Sequence, residues 1–241
     1  MSDAERQQRD YYTQTAESYD SAHGDEPEHA LGLDWLSTLI RHYGIRSVLD
    51  VGSGTGRALL HLRALPGLRL RGIEPVEALR EAAYAKGVPR DELTAGDATA
   101  LPFPDDSFDL VCEIGILHHV PDPASVVREM LRVANKAIFI SDSNNFGQGS
   151  AATRLVKNAL RLGGLWPAAN YLRTGGRRYQ QSEGDGLFYS YSVFDQMRLI
   201  RAACERMHLT TAAADVAHPL WSAPHVALFG WKRQAPASPK R

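Results

Sequence analysis

Short apolar runs alternate along the chain with longer stretches in which apolar side chains recur at every third or fourth position. The runs at 46–51, 69–74, 109–114 and 136–141 are rich in Val, Ile, Leu and Phe, as strands buried on both faces of a parallel sheet should be. Residues 27–42, 56–65, 76–86 and 123–134 carry helical spacing and read as crossover helices of βαβ units. A weaker strand at Glu92-Leu93-Thr94-Ala95, a helix over 192–207 and strands near 209–215 and 225–232 continue the pattern. The chain is therefore predicted to be an α/β protein with a doubly wound sheet. The segment 148–190 is irregular, basic and long for a connection. The last residues, QAPASPKR, read as a disordered end. No repeat or linker divides the chain, so residues 1–241 are expected to form a single domain.

Composition narrows the function classes. With 241 residues, 44% of them hydrophobic and 23% charged, the chain can bury one full core. A net charge of −1 gives no global attraction to nucleic acid. The amino-terminal stretch MSDAERQQRD is polar, and no run of 18 apolar residues occurs. Neither secretion nor a membrane span is indicated, and a cytoplasmic location is expected. Cys112 and Cys204 lie far apart in apolar elements and read as small buried hydrophobes.

The first predicted strand ends in the loop VLDVGSGTG, with Asp50, Gly52, Ser53 and Gly54 in sequence. Glycines at such a turn let backbone approach a ligand at a helix N-terminus. The spacing is GxGxG rather than the GxGxxG of dinucleotide sites, and Asp50 would repel a pyrophosphate while suiting an ammonium group. The second strand runs into GIEP, where Glu74 stands twenty residues after Gly54, the distance at which a carboxylate reaches ribose hydroxyls. Asp97 follows the third strand in TAGDA, placed to accept from an adenine amino group.

The series VLDVGSGTG, GIEP, GDATALPFPDDSFDLV and GILHHVPDP resembles the class I methyltransferases that use S-adenosylmethionine (SAM), particularly those acting on small molecules such as sugars and natural products. The resemblance spans about residues 11–141. It implies a Rossmann-like sheet of seven strands, the last antiparallel, with helices on both faces and SAM as cofactor. It also implies that Asp50, Gly52, Ser53 and Gly54 border the methionine part, Glu74 and Pro75 the ribose, and Asp97 and Ala98 the adenine, with Glu113 and Ile114 on the cofactor floor. An N-terminal cap helix over 1–22 carries the Tyr19-Asp20 pair of the family, and Tyr11, Tyr12 and Tyr19 are candidates to cover the methionine carboxylate. The family's Pro-Gly-Gly turn before the fifth strand is replaced here by Arg132-Val133-Ala134-Asn135-Lys136.

His118 and His119 are the candidate proton acceptors, with Asp142 after the fifth strand assisting. A hydroxyl acceptor must lose its proton, which an imidazole accepts near neutral pH. Adjacent side chains point in different directions, so one of the two is expected to face the methyl. No metal site is expected; Asp105, Asp106 and Asp109 read as a solvated turn. The expected reaction is methyl transfer to a hydroxyl of a small molecule, sugar or glycan. An N- or C-methyltransferase of a small metabolite, a non-catalytic SAM-binding protein and an NAD-dependent oxidoreductase are the alternatives. Between Ala151 and Gln181 lie six basic residues and no acidic one. This insertion, 148–190, is expected to form a lid whose arginines suit an anionic acceptor; the other reading is a solvated basic face on a helix that packs against the body or a second subunit. It equally suits contact with a second subunit in a homodimer or with an anionic membrane surface.

Overall fold

The computed structural model describes residues 3–23, 27–182, 184–212, 216 and 218–233; the tail at 234–241 lies outside the described residues, as does the end of the strand expected to reach 215. The apolar runs become β1 (Ser47–Val51), β2 (Arg69–Ile73), β3 (Leu93–Thr94), β4 (Phe108–Ile114), β5 (Ala134–Ser143), β8 (Cys204–Thr211) and β9 (His225–Lys232). They form one sheet in the order β3-β2-β1-β4-β5-β9-β8. The first five strands are parallel, and β9 runs antiparallel to both β5 and β8. Between β1 and β4 the strand order reverses, which is where open α/β sheets place their ligands.

Alternation along each strand feeds two cores, one per face. Leu49, Val51, Val111, Ile138, Ile140, Val226 and Leu228 turn toward α6 (Pro123–Val133) and α9 (Met197–Ala203). Val48, Leu110, Ala137, Phe139, Ala227 and Phe229 turn toward α3 (Pro27–Tyr43) and α4 (Arg57–Leu62). Both cysteines are free and buried. Where the family's Pro-Gly-Gly turn is missing, α6 passes straight into β5 at Ala134. Arg132 holds that junction by bonding Glu129, Asp105 and the carbonyls of Leu101 and Phe103. The acidic turn is paired rather than free: Asp106 bonds Lys232 and Asp109 bonds Lys136.

Three boundaries differ from the sequence reading. The helix expected over 192–207 is a short 3-10 turn, Val193–Gln196, followed by α9, and the chain already enters β8 at Cys204. Pairing of Cys204–Thr211 with β9 outweighs the helical spacing there. The cap is two helices, α1 (Asp3–Thr15) and α2 (Tyr19–His23). The segment 148–190 is ordered into α7 (Ala151–Leu162), α8 (Trp166–Arg173) and a hairpin of β6 (Tyr179–Ser182) with β7 (Gly186–Tyr189).

Candidate active site

A cleft of about 640 Å³ opens across the carboxyl ends of the strands, beneath α1 and α2. The glycine loop forms one wall. The Gly52 and Ser53 amides both donate to the Ile73 carbonyl at 2.9 Å, which binds the loop to the end of β2. Gly52 has φ +72, and a Cβ there would meet Ile116 Cγ2 at 2.7 Å; at Gly54, φ +53, a Cβ would meet nothing within 4 Å. Backbone is thus laid bare to the cleft at Gly54.

Asp50 and Glu74 stand on the floor, both buried. The Gly54 amide donates to Glu74 Oε2 at 3.0 Å and the Val76 amide to Oε1 at 2.9 Å. Those two bonds fix the carboxylate while leaving each oxygen a further lone pair. Burial still dominates and pushes Glu74 up to about 7. Asp50 is likewise pushed by burial up to about 6, and its Oδ2 has no hydrogen-bond partner among the described residues. An unpaired buried carboxylate oxygen is costly unless a ligand satisfies it, and an ammonium group meets that need. At the far end Asp97 and Ala98 line the cleft. Asp97 is partly buried, yet hydrogen bonds from the Thr99 amide and hydroxyl and the charge of Arg9 keep its carboxyl below the usual range.

Tyr19 lines the cleft from above, and Asp20 clamps its helix to the glycine loop. Thr55 Oγ1 donates to Asp20 Oδ1 and Lys86 Nζ to Asp20 Oδ2, both at 2.6 Å. Tyr12 also faces the cleft, whereas Tyr11 is outside the lining and lies against Gly186 instead.

The β4 end carries the acid–base groups. His118 and His119 occupy a 3-10 turn, Leu117–His119, and both line the cleft. His118 Nδ1 lies 2.7 Å from Asp142 Oδ1, and the Leu117 amide donates to Asp142 Oδ2 at 2.7 Å. Burial opposes charge on the His118 imidazole, but the Asp142 carboxylate and then Asp185 outweigh it and raise the ring to about 10. The same pairing overcomes the burial of Asp142 and holds its carboxyl at about 2. Glu113 is wholly buried beneath them and is absent from the cleft lining. Burial and the neighbouring Asp142 charge push it well above the usual carboxylate range. Of the two residues expected on the cofactor floor, Ile114 lines the cleft, with Gly115 beside it, and Glu113 does not.

His119 is held differently. Its Nδ1 lies 2.7 Å from the Leu187 carbonyl, which fixes the proton on that nitrogen, and its Nε2 lies 3.0 Å from the Tyr12 hydroxyl. Sequence reasoning missed Asp185, at the tip of the β6–β7 hairpin. Its carboxylate reaches His118 Nε2 at 3.5 Å and His119 Nε2 at 3.2 Å. Gln8 of α1 ties the hairpin down by accepting from the Leu187 amide at 2.5 Å. His118, His119 and Asp185 are the one cluster among the described residues whose ligand-type atoms all lie within 4.8 Å, close enough for a metal ion. Of the lid arginines, none of Arg154, Arg161, Arg173, Arg177 and Arg178 lines the cleft.

Comparison with known proteins agrees with this geometry. The family described as methyltransferase domain matches residues 49–139. An uncharacterised methyltransferase of Mycobacterium leprae is 33% identical over 189 residues, covering 78% of this chain and 68% of its own. A phosphatidylethanolamine N-methyltransferase of Cereibacter sphaeroides is 36% identical over 117 residues, 47% of this chain and 57% of its own. A SAM-dependent methyltransferase of Thermotoga maritima shares the fold, with a TM-score of 0.59 at 18% identity over 93% of this chain and 99% of its own. A floor of two buried carboxylates under a glycine loop, in a sheet of this order, fits the SAM that such enzymes use as methyl donor, and the chain belongs to the class I SAM-dependent methyltransferases.

Proposed function

We propose that the protein transfers the SAM methyl group to a hydroxyl of a small molecule, sugar or glycan, with His118 as the proton acceptor. The observation that carries this reading is the His118–Asp142 pair: in a residue that lines the cleft, Nδ1 is bonded to a buried carboxylate and Nε2 meets, among the described residues, only the half-exposed Asp185 at 3.5 Å. The bound cofactor supplies a methyl on a sulfonium, which leaves as a neutral thioether when the new oxygen–carbon bond forms. Asp142 fixes the tautomer and steadies the imidazolium. His118 Nε2 takes the hydroxyl proton once the acceptor has displaced Asp185 from it. Asp50 holds the ammonium group, Glu74 with Pro75 the ribose, Asp97 with Ala98 the adenine ring, and Gly52, Ser53, Gly54 and Ile114 pack against the cofactor. Tyr19 covers the methionine end. In this reading one domain carries its own cover, the cap helices from one side and the β6–β7 hairpin from the other.

An amine acceptor is the second reading, favoured by Asp185, whose carboxylate suits an ammonium group, and by the phosphatidylethanolamine N-methyltransferase among the relatives. The two separate in one set of measurements. With labelled SAM and an acceptor screen, His118→Ala is expected to lower kcat by roughly 10²–10⁴ at unchanged affinity for S-adenosylhomocysteine, and the product is expected to carry an O-methyl group. Activity is expected to rise with pH toward about 10, where His118 loses its proton. Asp142→Asn is expected to move that limb downward by removing the charge that raises the ring. A turnover within a few-fold of wild type in His118→Ala, with an N-methyl product, would establish the amine reading. Chelator treatment is expected to leave turnover unchanged, and its loss would assign the His118–His119–Asp185 cluster to a metal.

A further inference from the structure

The two helices of the insertion are packed inside out. In α7 the one buried residue is Asn158, whose amide donates to the Phe146 carbonyl at 3.0 Å and the Arg154 carbonyl at 2.8 Å. Beside it Arg161 turns inward to Asp195 at 2.7 Å with its guanidinium over the Phe146 ring, and Lys157 donates to the Asn145 carbonyl at 2.6 Å. In α8 the buried residue is again an asparagine, Asn170. The apolar stripe looks outward: Leu155, Leu162 and Leu172 are 73%, 76% and 79% exposed, with Val156, Leu165 and Tyr171 beside them. The sequence reading left the cations of the first helix in solvent and gave its apolar side the body or a second subunit as partner; in the structure Arg161 and Lys157 turn to the body while Leu155 and Leu162 face outward. Polar groups with defined partners are what this helix gives the body, so its apolar face is left for something else.

That face stands out within the molecule. Of the nine large hydrophobic residues exposed among the described residues, six fall between 155 and 172, and such a concentration of exposed apolar side chains on two successive helices and their connection marks an interaction surface. Arg173, Arg177 and Arg178 are exposed where α8 ends, and the stretch 151–181 contains no acidic residue. Net charge over the whole chain is −1, so this positive charge is local.

We propose that the α7–α8 surface docks on an anionic lipid bilayer, the leucines entering the interface and the arginines meeting the headgroups. A stripe of aliphatic side chains fringed by arginines is the composition of interfacial helices. A second copy of the same face is a poor occupant, because it would put two sets of three arginines in one interface to which the stretch 151–181 contributes no acidic residue. The surface flanks the site: the chain leaves the cleft lining at Gln148 and rejoins it at Gly184 and Asp185. The proposal stands apart from the acceptor's chemistry, because its readout involves no turnover.

The test is co-sedimentation of the purified full-length protein with vesicles of phosphatidylcholine alone and of phosphatidylcholine mixed with phosphatidylglycerol. Wild type is expected to pellet with the mixed vesicles, more weakly with neutral ones, and less as salt rises. The combined Arg173→Gln, Arg177→Gln and Arg178→Gln variant is expected to bind mixed vesicles roughly a hundredfold more weakly, at about 1 kcal/mol for each charge. The combined Leu155→Glu, Leu162→Glu and Leu172→Glu variant is expected to stay in the supernatant while keeping the thermal shift given by S-adenosylhomocysteine, which certifies its fold. Wild type that stays in the supernatant with mixed vesicles, or a glutamate variant that pellets like wild type, overturns the proposal. So does a dimer in sedimentation velocity that the glutamate variant converts to monomer, since a second copy then covers the face.

Discussion

Replacing Glu74 by alanine tests the cofactor floor at its most constrained point. Each ribose hydroxyl bound to an ionised carboxylate contributes about 1.5–3 kcal/mol, so losing one bond weakens S-adenosylhomocysteine binding by roughly 10- to 150-fold, and losing two weakens it by more. The Gly54 and Val76 amides, now bonded to this carboxylate at 3.0 and 2.9 Å, would lose their acceptor, which loosens the glycine loop and adds to the loss. Isothermal titration near pH 7.5 reads the change. The pH dependence gives an independent check. In the free protein burial raises Asp50 to about 6 and Glu74 to about 7. The ligand prefers both ionised, so binding releases protons and affinity is expected to rise with pH until about 7. In Glu74→Ala the upper part of that rise should vanish and the Asp50 part should remain. An affinity within twofold of wild type, or a pH profile that Glu74→Ala leaves unaltered, would refute the placing of the ribose on this residue.

Two further outcomes are expected. A Cβ at Gly72 would strike Ser53 Oγ and stand 2.9 Å from Leu59 Cδ1, so Gly72→Ala should lower stability by about 1–3 kcal/mol through overpacking, read as a fall in Tm. Because Ser53 must move, that variant should also bind S-adenosylhomocysteine less tightly; an unchanged Tm would show that the wall of the cleft yields freely. The His118–Asp142 pair sets a pH window for stability. His118 is raised from 6.5 to about 10, so its contribution is complete below 6.5 and lost as pH rises through about 10. Asp142 is lowered from 3.8 to about 2, so its contribution is complete above 3.8 and lost as pH falls through about 2. The Tm difference between wild type and His118→Ala is therefore expected to be largest from about pH 4 to 6.5 and to shrink toward pH 10; a difference constant with pH would contradict the pairing.

Much of the fold was legible from local pattern. The central strands β1, β4, β5 and β9 lie at their apolar runs, because a strand buried on both faces has little choice but to be apolar; the edge strands β3 and β8 lie near theirs. The glycine loop was readable for a similar reason, since a turn that needs positive φ and open backbone leaves its mark in consecutive residues, and Asp50, Glu74 and Asp97, at or just past the ends of three successive strands, all line the cleft. Contacts between distant segments leave no such mark. Asp185 meets His118 and His119 only because a hairpin folds back over the strand ends and Gln8 of the first helix fastens it. Glu113 looked like a cleft residue by position, but the pleat turned it inward toward Asp142. At Cys204 the helical spacing runs on, yet pairing with the last strand takes over. The insertion makes the same point most clearly. The spacing of Leu155, Leu162, Lys157 and Arg161 establishes that α7 has two faces. Which face meets the body depends on the partners waiting there, and Phe146, Asn145 and Asp195 offered a ring, carbonyls and a carboxylate to the polar one. Periodicity determines that a helix is amphipathic; only the tertiary surroundings decide which side is in.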